Sequence, residues 1–524
     1  TKVSSWTQRL YVVDNHTPAM ESRPVHESIM NYKNTVSIAV TGSGGSGAVT
    51  TGLILLNAMA KAGYYGIMSR SSGPQIRGGE SAVMMRFAER EVFSQDDTFH
   101  VLLSMDWLKI DRFADEIPLD SKSLLLGDSD AGEIPDILTT SGSQIQLLPL
   151  KKSAGEIDGG RANMIGLGVL AVLLGLSLDM MKKALQEILG RKKGASIVKS
   201  SLACIEQGMQ LYQLQHPPLT DTWETTGSQR WNISGNEGSG LGALRAGIRF
   251  VAAYPITPAS DMLEWLSPNL EKVGGTLLQA EDEPASINMI IGASFGGVPA
   301  LTATSGPGLS LMMEGLGLAV ASETPVVVVN VMRGGPSTGI PTKSEQADLN
   351  LALFGFHGDA PHMVLAPTDI KDCVFTLQWA SCQAEQLQTV AIVLSDQFLG
   401  QSRAVIDPPQ NFLVPCKRMT VAEVEEDYQR YELTENGISP MSIPGTPRGM
   451  YTADGLEHTQ RGTPSSMAQD HLLQMVKRRD KLMKYDFGSY WAEIEGDGDT
   501  AIVTWGSSSS VVREAAHRLR DKGI

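Results

Sequence analysis

From Thr35 onward the chain alternates short apolar strands with helices, and this alternation restricts its fold more than any other feature. TVSIAVTG, SGGSG, AVTTGLILLNAMAKAG and YYGIMSR read in turn as strand, glycine loop, helix and strand. Further strands are expected at 82–87, 100–105 and 123–126, and helices at about 163–178 and 180–190 close a first unit near residue 215. A second unit repeats the pattern. Its strands are expected at 248–254, 276–280, 298–304, 326–332, 363–366 and 389–395, and its helices at about 237–246, 284–295, 308–322 and 369–386. Strands joined through helices pair in parallel, and a parallel sheet must be covered on both faces. The expected class is therefore α/β and multidomain.

The chain divides into an N-terminal arm (1–34), a first α/β unit (35–215), a polar linker (216–231), a second α/β unit (232–412) and a long segment (413–485) rich in Gly, Pro, Ser and charge. A segment of that length without strands is expected to be a linker or docking arm. A final strand, TAIVTWGSS, and helix, SVVREAAHRLRDKG, begin a third unit in residues 486–524. The chain starts at Thr1 without a methionine and stops at Ile524 just after that helix, so both ends of the natural protein are expected to extend further.

The net charge of −15 argues against general nucleic-acid binding. The longest oily run, Ile165 to Leu178, has 14 residues, too short for a membrane span and suited to a buried helix. Cys204, Cys373, Cys382 and Cys416 are dispersed with no CxxC pair, so no iron–sulfur or zinc site is expected in this chain. Dispersed free thiols fit a reducing cytosol, and a cytoplasmic location is expected.

In an open parallel sheet, ligands bind at the carboxyl ends of the strands. The loops at those ends of the second unit are YPITP (254–258), EDEP (281–284), TSGPG (304–308) and RGGPSTG (333–339), with Lys343 just beyond. Pro255 and Pro258 bracket Thr257 and fix the backbone on either side of its hydroxyl. Each loop also has a plain structural reading. Glu281, Asp282 and Glu283 precede a helix and could serve as N-terminal carboxylates. TSGPG could be an ordinary turn, and Arg333 could pair with a neighbouring acid. Gathered on one edge, however, they form a candidate site.

These motifs resemble the 2-oxoacid:ferredoxin oxidoreductases. PSTGIPTKSEQADL followed by FGFHGDAP most resembles the α subunit of the 2-oxoglutarate-type enzymes. The likeness extends through GLEHTQRGTPSS (455–466) and into the first unit, which looks like the family's γ subunit fused in front of α. The resemblance implies a Rossmann-like γ domain, then a thiamine-diphosphate-enzyme domain of the pyrimidine-binding type, then the start of a transketolase C-terminal-like domain. It implies oxidative decarboxylation of a 2-oxoacid to an acyl-CoA, with electrons passing to ferredoxin.

Carried over by motif, Thr257 lies beside the thiazolium and substrate. A carboxylate at the helix start shares a proton with the aminopyrimidine; the family spacing of nine residues to a helix glycine, Gly292, selects Glu283. Arg333 holds the 1-carboxylate, and Pro255, Ile256, Ser305 and Gly306 line the pyrimidine side. Lys343 would meet the distal carboxylate of 2-oxoglutarate; otherwise it is a solvated lysine pairing with Glu345 or Asp348. The chain itself is expected to bind no metal. A GDG at 496–498 precedes a strand instead of following one and reads as a turn. Thiamine diphosphate and Mg2+ would be shared with a β subunit that also carries a [4Fe-4S] cluster, in an (αβ)2 assembly.

In front, Gly42, Gly44 and Gly47 form a GxGxxG loop between strand and helix, with Gly45 inside it, which suits close approach of a phosphate. An acid at the end of the next strand would signal NAD; Arg70 and Ser72 stand there instead. An arginine suits a phosphorylated ribose, as in NADP or coenzyme A. The resemblance favours coenzyme A, with Arg77 in the loop SSGPQIRGG facing the active site. A glycine turn that only packs helix on strand is the plain alternative. Two rival functions are an NADP-dependent oxidoreductase built on this loop and a non-catalytic, CoA-binding partner subunit.

Overall fold

The computed structural model describes residues 34–523 apart from 74–78, 109, 213, 215–216, 225–226, 228 and 411–416. The expected arm, save Asn34, and Arg77 lie outside the described residues.

The first unit is built on an eight-stranded sheet. Its order is Gln144–Leu148, Leu124–Asp128, Val101–Ser104, Thr35–Ser43, Glu80–Ala88, Tyr65–Ser72, Arg403–Ile406 and Trp231–Ser234. Thr35–Ser43 and the three strands at its outer side are parallel. Glu80–Ala88 runs antiparallel to both its neighbours, because the connection from Ser72 to Glu80 is too short for a crossover helix.

The sheet's last two strands come from the second unit, at Trp231–Ser234 and Arg403–Ile406. The boundary expected between 231 and 232 therefore falls inside a strand, and the two units are sewn together at the sheet edge. The strand Gln144–Leu148 and the helix Ala195–Leu211 were not anticipated. The oily run Ile165–Leu178 is not one helix either. Helix Ala162–Leu173 stops before Gly175, whose φ of +63° is left-handed, and Ser177 caps the next helix, Leu178–Lys193.

The second sheet is wholly parallel and six-stranded, in the order Met363–Leu365, Val390–Asp396, Val326–Met332, Ala300–Thr304, Phe250–Ala253 and Thr276–Gln279. Its apolar runs serve both faces. Val327, Val329 and Val331 pack on one side, and Val326 and Val328 on the other.

The segment 413–485 is a docked arm carrying a helix, Ala468–Met483, and the paired strands Thr420–Val421 and Met441–Ser442. Lys477 and Lys481 of that helix reach Glu323 at 2.5 and 2.7 Å, with all three side chains almost fully buried. The surrounding cations hold Glu323 well below the usual carboxylate range, although burial opposes this.

The last strand is not formed: residues 501–505 have no strand pairing, and Val503 is 90% exposed. A lone segment without a sheet neighbour leaves its backbone groups to water, so the strand pattern finds no ladder to join. The helix Ser508–Arg520 does form, and it packs back on the first unit through Glu514, which meets the buried Arg86 at 2.7 Å.

Cys204 and Cys373 are free and buried, whereas Cys382 is disulfide-bonded and departs from the expectation of uniformly free thiols. Among the described residues, no helix is long and apolar enough to cross a membrane.

Candidate active site at the carboxyl edge of the second sheet

The strand order of the second sheet reverses direction at Phe250–Ala253, whose neighbours are the second and third strands of the unit. The switch point lies between Phe250–Ala253 and Ala300–Thr304, where open α/β sheets bind ligands. The loops YPITP and TSGPG leave these two strands and flank that crevice.

Arg333 follows the next strand, Val326–Met332, and reaches over the crevice. Its Nη1 donates to the carbonyl of Thr257 at 2.5 Å and its Nη2 to the carbonyl of Thr338 at 2.6 Å. Arg333 is 7% exposed, its Nε has no partner, and no carboxylate pairs with it among the described residues. Burial alone holds its pKa below the ordinary arginine value. The next carbonyl after Thr257, that of Pro258, accepts from the buried Asn236 at 2.9 Å, so the proline corner is pinned from beneath. Thr257 and Ile256 are half-buried, and Pro255 is exposed.

The three competing acids separate clearly. Asp282 is the helix cap, accepting from the Ala285 amide at 2.7 Å, and Glu281 is exposed. Glu283, the first residue of helix Glu283–Phe295, is buried at 7% exposure. Its carboxylate has no hydrogen bond or ion pair among the described residues. It lies against Gly308: a Cβ there would sit 2.7 Å from the Glu283 Cγ and would strike the Thr304 hydroxyl. Gly292, by contrast, faces open space.

Ser305 is fully buried with its hydroxyl unpartnered. A Cβ on Gly306 would lie 2.8 Å from the carboxylate of Asp348. Asp348 accepts from Asn330 at 2.9 Å, and burial, helped by Glu345, raises its pKa. Asn236 and Asn330 went unnoticed in the sequence, Thr304 entered only as the first residue of TSGPG and Asp348 only as a possible partner of Lys343, since nothing in their spacing separates them from ordinary strand-end and loop residues.

The segment after Arg333 is a closed loop. The Gly334 amide donates to the Lys343 carbonyl at 3.0 Å, and the Ile340 amide to the Gly334 carbonyl at 2.8 Å. Lys343 pairs with neither Glu345 nor Asp348. Its Nζ lies 2.5 Å from Glu116 and 2.9 Å from the Ser71 hydroxyl, both in the first unit. Arg70, next to Ser71, points to Asp261 at 3.0 Å, at the start of the helix that follows YPITP.

In the glycine loop, Gly45 and Gly47 have φ near +94° and +91°, open to glycine and strained for other residues. A cavity of about 470 Å3 beside the loop is lined by Gly45, Ser46, Gly47, Thr50, Arg161 and Asn163. Arg70 and Ser72 do not line it, and Gly42 is the penultimate residue of the preceding strand, Thr35–Ser43. The GDG at 496–498 lies in an exposed stretch without regular structure.

A buried carboxylate without a partner, an orphaned serine hydroxyl and two glycines whose Cβ would fill the neighbouring space fit the aminopyrimidine side of thiamine diphosphate. Residues 241–478 match the family profile for pyruvate flavodoxin/ferredoxin oxidoreductase, thiamine diphosphate-binding, and residues 37–211 match pyruvate ferredoxin/flavodoxin oxidoreductase. The second unit is thus a thiamine diphosphate-binding domain.

A 2-oxoacid:ferredoxin oxidoreductase subunit alpha from a Sulfolobus species is 32% identical over 91% of this chain and 84% of its own length. The 2-oxoglutarate oxidoreductase subunit KorA of Mycobacterium tuberculosis is 30% identical over 97% and 83%. The structure of 2-oxoglutarate:ferredoxin oxidoreductase from Magnetococcus marinus, with 2-oxoglutarate, coenzyme A and succinyl-CoA bound, is 36% identical. It covers 94% of this chain and 86% of that one, with a TM-score of 0.84. The chain belongs to the 2-oxoacid:ferredoxin oxidoreductase family, as an alpha subunit.

Proposed function

We propose that the chain is a fused γ–α catalytic subunit of a CoA-dependent 2-oxoglutarate:ferredoxin oxidoreductase. The reaction converts 2-oxoglutarate and coenzyme A to succinyl-CoA and CO2, with two electrons passing to ferredoxin, and can run in reverse. A β subunit supplies the diphosphate and Mg2+ sites and a [4Fe-4S] cluster, in an (αβ)2 assembly in the cytoplasm. Exposed Tyr254, Leu278, Leu311 and Phe354, on the strands, helices and loops around the site, support a partner at that edge.

The observation that carries this reading is the presence on one sheet edge of two buried ionisable side chains, Glu283 and Arg333, that make no ion pair among the described residues. Thiamine diphosphate, when bound, would supply a nucleophilic carbon for the 2-oxo group and an acceptor for the electrons left when CO2 departs. Glu283 exchanges a proton with the aminopyrimidine ring, while Ser305, Gly306, Pro255 and Ile256 shape its seat. Arg333 holds the 1-carboxylate; its guanidinium is fixed by two backbone carbonyls, so little reorganisation accompanies binding. The Thr257 hydroxyl, held in the proline corner, meets the reacting end of the substrate. Lys343 meets the distal carboxylate. The glycine loop of Gly42, Gly44, Gly45 and Gly47, with the cavity beside it, takes coenzyme A phosphates, and Arg70, Ser72 and Arg77 belong to the same proposal.

The test is the complex assembled with its β subunit, assayed for ferredoxin reduction dependent on 2-oxoglutarate and coenzyme A. Lys343→Met should lower kcat/KM for 2-oxoglutarate about 10- to 100-fold and that for 2-oxobutyrate much less. An equal loss on both substrates removes Lys343 from substrate reading, and an inactive parent complex overturns the whole proposal.

A further inference from the structure

Lys343 is the cation proposed to read the distal carboxylate, yet its ammonium is held by two residues of the first unit. Ser71 is the penultimate residue of strand Tyr65–Ser72, and Glu116 follows the short helical turn Ile110–Phe113. The turn before Glu116 is tied to the sheet: Arg112, four residues earlier, pairs with Glu80, which is 3% exposed and packed against Gly73.

The contact between Lys343 and Glu116 is built to be exchangeable. Their side chains are 47% and 32% exposed, and a solvent-screened pair of this kind contributes little. The same protein shows the opposite design where permanence is needed, in the Lys477–Glu323 pair at 1% and 0% exposure. Chemistry adds a second reason. A glutamate side chain ends in CH2–CH2–COO−, and so does 2-oxoglutarate beyond its oxo carbon. Glu116 therefore offers Lys343 the same group that the substrate would bring. The closed loop from Gly334 to Lys343 keeps this ammonium on the segment that begins with Arg333.

We infer that Glu116 is a specificity-determining residue that competes with the distal carboxylate of the substrate for Lys343. This rests on the proposed role of Lys343. When 2-oxoglutarate binds, its distal carboxylate replaces that of Glu116, and Ser71 remains the second partner of the ammonium. The first unit thereby sets the threshold a dicarboxylate must pass, a threshold that a monocarboxylate does not meet.

The experiment compares parent and Glu116→Gln complexes, each assembled with the β subunit, on 2-oxoglutarate and 2-oxobutyrate. Removing the competitor should raise the ratio of kcat/KM for 2-oxoglutarate to that for 2-oxobutyrate about two- to fivefold, mainly through a lower KM for 2-oxoglutarate. Glu116→Asp, which keeps the charge, should stay near the parent. In a Lys343→Met background the same Glu116→Gln change should leave the ratio alone, because the shared partner is gone. A fall in the ratio, no change, or the same rise without Lys343 would overturn the inference. Failure of the underlying reading shows separately, as a Lys343→Met single variant that leaves the ratio at its parent value.

Discussion

Arg333 and Thr257, 76 positions apart, meet where the Arg333 Nη1 lies 2.5 Å from the Thr257 carbonyl oxygen. This contact ties the loop after the fourth strand to the loop after the first, across the crevice where the sheet order reverses. The guanidinium is oriented by the protein backbone and keeps its remaining N–H groups for an anion. A lysine there has one ammonium for the same tasks and cannot form the forked contact. Arg333→Lys should therefore raise the KM for 2-oxoacids about tenfold or more with a smaller effect on kcat. Steady-state kinetics on the assembled complex check this, and an unchanged KM takes Arg333 out of the substrate site.

Glu283 and Glu281 stand two residues apart with opposite surroundings, one buried without a partner and the other exposed. Glu283→Gln preserves shape and removes the proton-accepting carboxylate. It should lower 2-oxoacid-dependent dye reduction by about a hundredfold or more, the scale of a lost proton-transfer group. Glu281→Gln should stay within about twofold of the parent. Reversed severities would show that the wrong acid has been assigned.

Gly308, in the first turn of helix Gly306–Ala321, is where the backbone makes room for Glu283. Gly308→Ala adds a methyl group against the Thr304 hydroxyl and 2.7 Å from the Glu283 Cγ. Overpacking of this kind costs about 1–3 kcal/mol, and the carboxylate must move aside. Activity should fall by tenfold or more while the thermal midpoint drops by about 2–12 °C, at about 2–4 °C per kcal/mol for this domain size, and the protein stays folded at assay temperature. Gly292→Ala, on the same helix as Glu283 but facing open space, is the matched control and should be silent in both measurements.

Asp369 offers a pH test away from the site. It caps helix Ile370–Leu387 through the Asp372 amide at 2.8 Å, and burial, reinforced by the Asp372 charge, raises its pKa to about 6. Arg513 opposes the rise and Glu493 adds to it. A carboxyl whose folded pKa exceeds its unfolded value near 3.9 binds its proton more tightly in the folded state. Its contribution therefore favours folding below about pH 4 and is lost as pH rises toward 6. Asp369→Asn keeps a capping oxygen and removes the titration. Its stability relative to the parent should be greatest above pH 7 and should narrow as pH falls from about 6 to 4, as read from thermal midpoints across that range. A gap independent of pH would refute the role given to Asp369.

The sequence by itself determined the local elements and the chemistry at their ends. All six strands of the second sheet lie within two residues of the spans their apolar runs predict; the inner ones do so because a fully buried strand must be apolar on both faces. Thr257 and Arg333 stood out as candidates because rigid corners at strand ends are conspicuous, whereas Glu283 was separated from Glu281 and Asp282 only by the spacing that the family resemblance implies.

What only the tertiary structure decided is which of these groups have partners and which strands share a sheet. Trp231–Ser234 and Arg403–Ile406 read as members of the second unit and pair with the first, since strand pairing is satisfied between segments that local propensity does not distinguish. The helix Ala468–Met483 was hidden in a polar segment because ion pairs with Glu323 replace much of an apolar face. The strand expected at 501–505 failed for the converse reason, having pattern but no neighbour. Lys343 shows the same limit: composition offered Glu345 and Asp348 as partners, and the fold brought Glu116 from 227 residues away. Charge pairing is a property of distance in space, and the sequence carries that only through the fold.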